Sequence, residues 1–118
     1  MIEANDFLAF AQTMERNNET DDRVCIGRAY YAAVHFASKA AQTNGYQHDP
    51  HEAGSMHSNL IFYFERCATE DSLLVADLLK KLKRSRQQAD YQLEYNIFSS
   101  AAKTALKQAQ TVFDVLQA

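Results

Sequence analysis

Val24-Cys25-Ile26-Gly27-Arg28-Ala29-Tyr30-Tyr31-Ala32-Ala33-Val34-His35-Phe36-Ala37-Ser38-Lys39-Ala40-Ala41 is the stretch on which the fold turns. Apolar residues recur at helical spacing on two flanks. Val24, Ile26, Tyr30, Ala33 and Ala37 form one; Cys25, Ala29, Ala32, Phe36 and Ala40 form the other. A helix that is apolar nearly all round belongs at the centre of its domain. Gly27 and the alanines leave room for neighbouring helices to approach closely. The helix is expected to begin at Thr20 or Asp21, either of which can cap it, with acids in its first turn. It runs to Thr43, where Asn44-Gly45 supplies a left-handed stop.

Upstream, Phe7, Phe10, Ala11 and Met14 stand at i, i+3, i+4 and i+7, which predicts an amphipathic helix over Asn5–Arg16. Downstream, residues 45–54 read as a polar loop around the single proline, Pro50. A third helix starts near Ser55 with Leu60, Ile61, Phe64 and Cys67 on its inner face. A fourth starts near Thr69, carries Leu74, Val75, Leu78, Leu79 and Leu82, and ends between Tyr91 and Tyr95. The fifth runs from about Asn96 to the end, with Phe98, Ala102, Ala105, Ala109, Val112 and Leu116 as its stripe. Amphipathic helices on short connections pack as a bundle. The expected fold is therefore all-α: one domain over residues 1–118, an antiparallel up-and-down bundle of four long helices plus a shorter one.

Composition agrees. Three glycines and one proline in 118 residues are too few for the tight turns of a sandwich or barrel. The two cysteines, Cys25 and Cys67, stand far apart in apolar stretches and read as buried thiols of a reducing compartment. The acidic start Met1-Ile2-Glu3 is unlike a signal peptide, and no apolar run has the length of a membrane span. A cytoplasmic protein without membrane contact is expected.

The net charge of −3 does not advertise nucleic-acid binding, but the distribution is uneven. Lys80, Lys81, Lys83, Arg84 and Arg86 fall within seven residues of the fourth helix. Such a run either holds phosphates or simply solvates a helix end and favours its dipole. Arg86 and Asp90 share a face at i, i+4, as a surface ion pair or as a tethered arginine beside Tyr91 that holds a phosphate or nucleotide. On the central helix Arg28, Tyr31 and His35 share another face, either as a satisfied polar network or as part of a binding site. His48, Asp49, His51, Glu52 and His57 have the composition of metal ligands, but their spacing matches no closed site, so no metal or other cofactor is expected. There is no phosphate-cradling glycine loop and no Gly-x-Ser-x-Gly elbow.

Three short motifs in order carry a family resemblance. They are Gly27-Arg28-Ala29-Tyr30-Tyr31-Ala32-Ala33-Val34-His35, His57-Ser58-Asn59-Leu60 leading to Phe64, and Arg86 followed by Ala89-Asp90-Tyr91. The chain resembles the small stand-alone HEPN domains of prokaryotic toxin–antitoxin and defence systems, which also occur beside nucleotidyltransferases. The resemblance implies a homodimer and, in many members, metal-independent ribonuclease activity through an Arg-x4–6-His signature. Here Asp90 stands where that signature keeps its histidine, and Gln87 follows Arg86. An aspartate is ionised at neutral pH and is a poor base toward a hydroxyl. Arg28 to His35 satisfies Arg-x6-His, but on the second helix rather than where the family keeps it.

Three functions stay open on the sequence. One is a dimeric module that binds RNA, a nucleotide or a partner protein such as an antitoxin or nucleotidyltransferase. The second is a metal-independent endoribonuclease toxin, and the third a purely oligomerising bundle. Candidate catalytic residues are Arg86, Asp90, Tyr91, His35 and His57, and candidate binding residues are Arg28, Tyr31, Lys83 and Arg84.

Overall fold

A computed structural model describes residues 1–47 and 54–117 of the chain. Five helices and no strand lie among them: α1 (Ala4–Thr13), α2 (Glu19–Thr43), α3 (Met56–Cys67), α4 (Glu70–Tyr91) and α5 (Ser99–Gln117). The fold is an all-helical bundle, as expected. Three helices are long, at 25, 22 and 19 residues for α2, α4 and α5, and two are short, at 10 and 12 for α1 and α3.

Local chemistry sets the boundaries. The N-cap of α2 is Asn18, not Thr20 or Asp21: its side chain accepts the Asp21 amide at 2.9 Å, while the Asp21 carboxylate accepts the Asn17 amide. Asn is among the strongest N-caps, and the acid is better used one turn in, against the helix dipole. Ser55 caps α3, and Thr69 with Ser72 forms a reciprocal box at the start of α4. Gly45 adopts φ +93° after α2, as the Asn-Gly pair predicts. Helix α3 ends less comfortably, on Ala68 with φ +57°. A left-handed alanine is disfavoured by roughly 1–2 kcal/mol. Ala68→Gly is therefore expected to stabilise the fold by about 1 kcal/mol, seen as a higher urea midpoint at unchanged slope.

Helix α2 lies at the centre and packs against all four others. Pairing of Ala11 with Cys25 and of Phe7 with His35 makes α1 antiparallel to α2. Contacts of Arg23 with Ala89 and of Tyr31 with Arg86 make α4 antiparallel to it as well. Lys80–Glu65 and Lys83–Ser58 set α3 antiparallel to α4, so α2 and α3 run the same way across the longest connection. The core is built on Cys25, Ile26, Tyr30, Val75, Leu79, Leu82, Val112 and Phe113, all fully buried.

Five residues expected inside lie outside. In α1 the inward stripe is Ala4, Phe7, Leu8 and Ala11, and Phe10 is exposed. Both quartets have i, i+3, i+4, i+7 spacing, three residues apart, so periodicity alone leaves the helix free to rotate by about 60°. Val24 and Leu74 are each 41% exposed, because Cys25 and Val75 take the inward positions beside them. Phe98 precedes α5 and is exposed, and Cys67 closes α3 on its outer side as a free exposed thiol. Only Cys25 is a buried thiol; its Sγ–H donates to Ala11 O, and burial pushes its pKa up. Among the described residues no helix is long and apolar enough to cross a membrane.

Two arginines pin the helix ends. Arg16 holds the buried Asp22 at 3.2 Å and donates to the Ser99 carbonyl, joining the α1–α2 corner to the start of α5. Arg23 reaches from α2 to the carbonyls of Gln88, Ala89, Gln92 and Tyr95, while pairing with Glu19 at 2.8 Å. The Gln88 and Gln92 carbonyls also accept the amides of Gln92 and Tyr95, whereas those of Ala89 and Tyr95 depend on Arg23, and a cation is well placed at this helix end.

Candidate functional site

The last two turns of α4 carry Arg86, Asp90 and Tyr91 against the face of α2 that presents Tyr30 and Tyr31. An Nη–H of Arg86 donates to Tyr31 Oη at 2.7 Å. Its guanidinium carbon lies 5.3 to 5.8 Å from the ring centres of Tyr91, Tyr31 and Tyr30. A cation over ring faces at this range is attracted by their quadrupoles. Arg86 Nε stands 3.0 Å from Asp90 Oδ2, the expected i, i+4 pair, yet its N–H is not directed along a hydrogen bond and stays unsatisfied. The arginine is thus oriented by three rings, a hydroxyl and a carboxylate. Its side chain keeps 20% exposure, and Tyr91 keeps 69%.

Tyr30 is fully buried, and its hydroxyl shares a 2.6 Å hydrogen bond with His57 Nδ1 at the start of α3. Burial, opposed by Arg86, holds the Tyr30 pKa at about 12, so the phenol stays protonated. His57 is pushed the other way: burial first, then Lys83, Arg86 and His35, lower its pKa and favour the neutral ring. Lys83 Nζ donates to Ser58 Oγ at 2.8 Å on the adjoining residue of α3.

The linkage sign follows from that lowered pKa. The unfolded chain binds a proton at His57 near pH 6.5, where the folded chain resists it. Stability from this site is therefore full above about pH 6.5 and declines as the pH falls from there toward the lower folded value. Urea denaturation at pH 7.5, 6.5 and 5.5 is expected to give a falling midpoint, and His57→Gln a flatter profile.

The expected patch is only partly one site. Arg86, Asp90, Tyr91 and Tyr31 come together, with His57 joined through Tyr30 and Lys83 beside it. His35 is exposed and touches the cluster only through the Tyr31 ring, stacked between Phe7 and Tyr31 at 5.8 and 6.3 Å between ring centres. Arg28 lines a hollow of about 320 Å³ with Ile2, Asp6, Phe7 and Phe10, away from Arg86. Arg84 faces the groove between α3 and α4. The basic run divides by helical angle: Lys81 pairs back to Asp77 at 3.0 Å, Arg86 faces α2, and Lys80, Lys83 and Arg84 face α3. Tyr30 and Ser58 join the site without having been singled out. Gly27 lies opposite Asp90, but an added Cβ would meet Oδ1 at an ordinary 3.8 Å, so close helix approach does not require the glycine. His57 joins no group of three metal-ligating side chains among the described residues. Of its proposed companions, His48, Asp49, His51 and Glu52 lie outside them.

No protein-family model, curated protein or solved structure matches the chain.

Proposed function

We propose that the chain is a HEPN-like helical module that binds single-stranded RNA at the Arg86 cluster. The observation that carries this reading is a preoriented guanidinium ringed by three tyrosines, one of them open to solvent. Single-stranded nucleic acid is held by cations on its phosphates and by aromatic rings under its bases. Arg86 supplies the first, with Lys83 beside it, and Tyr91 supplies the second. The overall charge of −3 gives no general affinity, so binding must be local to this end of the bundle. Fluorescence anisotropy with short oligouridylates at low salt tests it, with Arg86→Ala and Tyr91→Ala each expected to weaken binding.

A second reading, metal-independent cleavage, is favoured by one observation: the His57 ring lies beside the cationic cluster, its Nδ1 2.6 Å from Tyr30 Oη, where burial favours the neutral form. In the tautomer whose Nδ1–H donates to Tyr30 Oη, His57 Nε2 keeps a lone pair for a ribose 2′-hydroxyl proton; in the other, Tyr30 donates to Nδ1 and Nε2 carries the proton. The 2′-oxygen would attack the adjacent phosphorus, and the 5′-oxygen would leave with a proton returned by the imidazolium. The products are a cyclic phosphate and a 5′-hydroxyl end, with Arg86 offsetting the charge gained on phosphorus. Cleavage of this kind persists in chelator and is lost in His57→Ala; binding without cleavage leaves the first reading alone.

The module is proposed to act as a homodimer, or with an antitoxin or nucleotidyltransferase partner, through the exposed apolar side chains around Arg28. Ile2 and Phe10 there are 68% and 54% exposed. Light scattering at micromolar concentration is expected to give twice the 13.4 kDa chain mass. A monomer, or a dimer that survives Phe10→Glu, contradicts this interface.

A further inference from the structure

We infer that the groove between α3 and α4 is a second nucleotide subsite, which continues an RNA strand away from the Arg86 cluster; the inference rests on the RNA-binding reading above. The groove has a volume of about 460 Å³, within the range of small-ligand clefts. Lys80, Lys83, Arg84 and Gln87 line one wall, Ser58, Ile61, Phe62 and Glu65 the other. Its single carboxylate, Glu65, is held by Lys80 at 2.6 Å in a pair of which both members are more than a third exposed. Such a pair is worth little, so a phosphate can compete with Glu65 for Lys80. That leaves two further cations, Lys83 and Arg84, and an apolar wall.

Phe62 gives the groove its chemistry. It is 55% exposed, and the Arg66 guanidinium lies over it, 5.0 Å from its centre. A planar ring flanked by cations offers a base a stacking face and its phosphate a counter-charge. Continuity with the first site comes from consecutive residues of α3: His57 borders the Arg86 cluster, and Ser58 lines the groove. Lys83 bridges them, since it bonds to Ser58 and its charge reaches His57. A strand whose phosphate sits on Arg86 thus passes over Lys83 and enters the groove, where Phe62 stacks the next base and Arg84 takes the next phosphate.

The test uses the full chain with fluorescein-labelled diuridylate and octauridylate, in the wild type, in Arg86→Ala and in the double variant Phe62→Ala/Arg84→Ala. Both groove side chains are exposed, and unchanged circular dichroism checks the fold. The double variant is expected to bind diuridylate like the wild type but octauridylate about tenfold or more weakly, with a salt slope smaller by about 0.7. If octauridylate affinity and slope stay at wild-type values in the double variant while Arg86→Ala weakens both ligands, the groove assignment falls and the Arg86 site stands. Failure of the wild type to bind either oligonucleotide overturns both. Displacement of octauridylate by an equal concentration of octaglutamate would assign the groove to acidic peptide instead.

Discussion

Replacement of Arg86 by alanine is expected to weaken binding of a short single-stranded RNA by about 30-fold at low salt. The figure follows from one charge-assisted hydrogen bond to phosphate, about 2 kcal/mol, which is a factor of about 30 in affinity. Arg86→Lys should not restore it. Lysine keeps the charge but not the planar fork that Tyr31 and the three rings orient. The lysine variant is therefore expected to retain the salt dependence of the wild type at reduced affinity, whereas alanine loses affinity and about 0.7 of the salt slope. Asp90→Asn moves the other way: it removes the negative charge 3.0 Å from Arg86 Nε and should tighten binding. These opposite signs from neighbours on one helix face separate a phosphate site from a structural ion pair, whose two partners should instead weaken the fold alike.

The largest expected effect on stability belongs to Arg23. Its guanidinium serves the carbonyls of Gln88, Ala89, Gln92 and Tyr95 from a side chain that is 12% exposed. Arg23→Ala leaves the carbonyls of Ala89 and Tyr95 without a donor and is expected to destabilise the fold by about 3 kcal/mol. In a chain of this length that lowers the thermal midpoint by about 10 °C. Calorimetry or urea denaturation reads it directly, and a loss below about 1 kcal/mol would mean that the α4–α5 turn holds without this clamp. Function should follow. Asp90 and Tyr91 lie in the turn that Arg23 secures, so fraying there lowers RNA affinity although Arg23 makes no contact with Arg86.

The central helix was legible from residue types alone, because its apolar residues cover two flanks and its end carries Asn-Gly. The pairing of Arg86 with Asp90 was legible for a similar reason, since both partners lie within one helical turn. What spacing could not supply is rotation and long-range address. Phe10 and Leu8 satisfy equally good helical stripes, and only packing against α2 selects Leu8. Val24 and Leu74 sit one residue from the positions that α2 and α4 bury. The role of Arg23 left no trace in the sequence, since its partners are main-chain carbonyls 65 or more residues away, which any residue type could provide. The Tyr30–His57 bond spans 27 residues and two helices, so it too emerges only once the bundle is assembled. The basic run was visible, but its division into three directions depends on where α2 and α3 pack around α4.

If Arg86 and its tyrosines hold an RNA phosphate, a salt titration of oligouridylate affinity shows it. For single strands, each phosphate neutralised by a protein cation adds about 0.7 to the logarithmic salt slope. Wild-type affinity is expected to depend on salt, with a slope shallower by about that 0.7 in Arg86→Ala and a tighter complex in Asp90→Asn. Identical affinities and slopes for the wild type and Arg86→Ala across the salt range would contradict phosphate binding at Arg86.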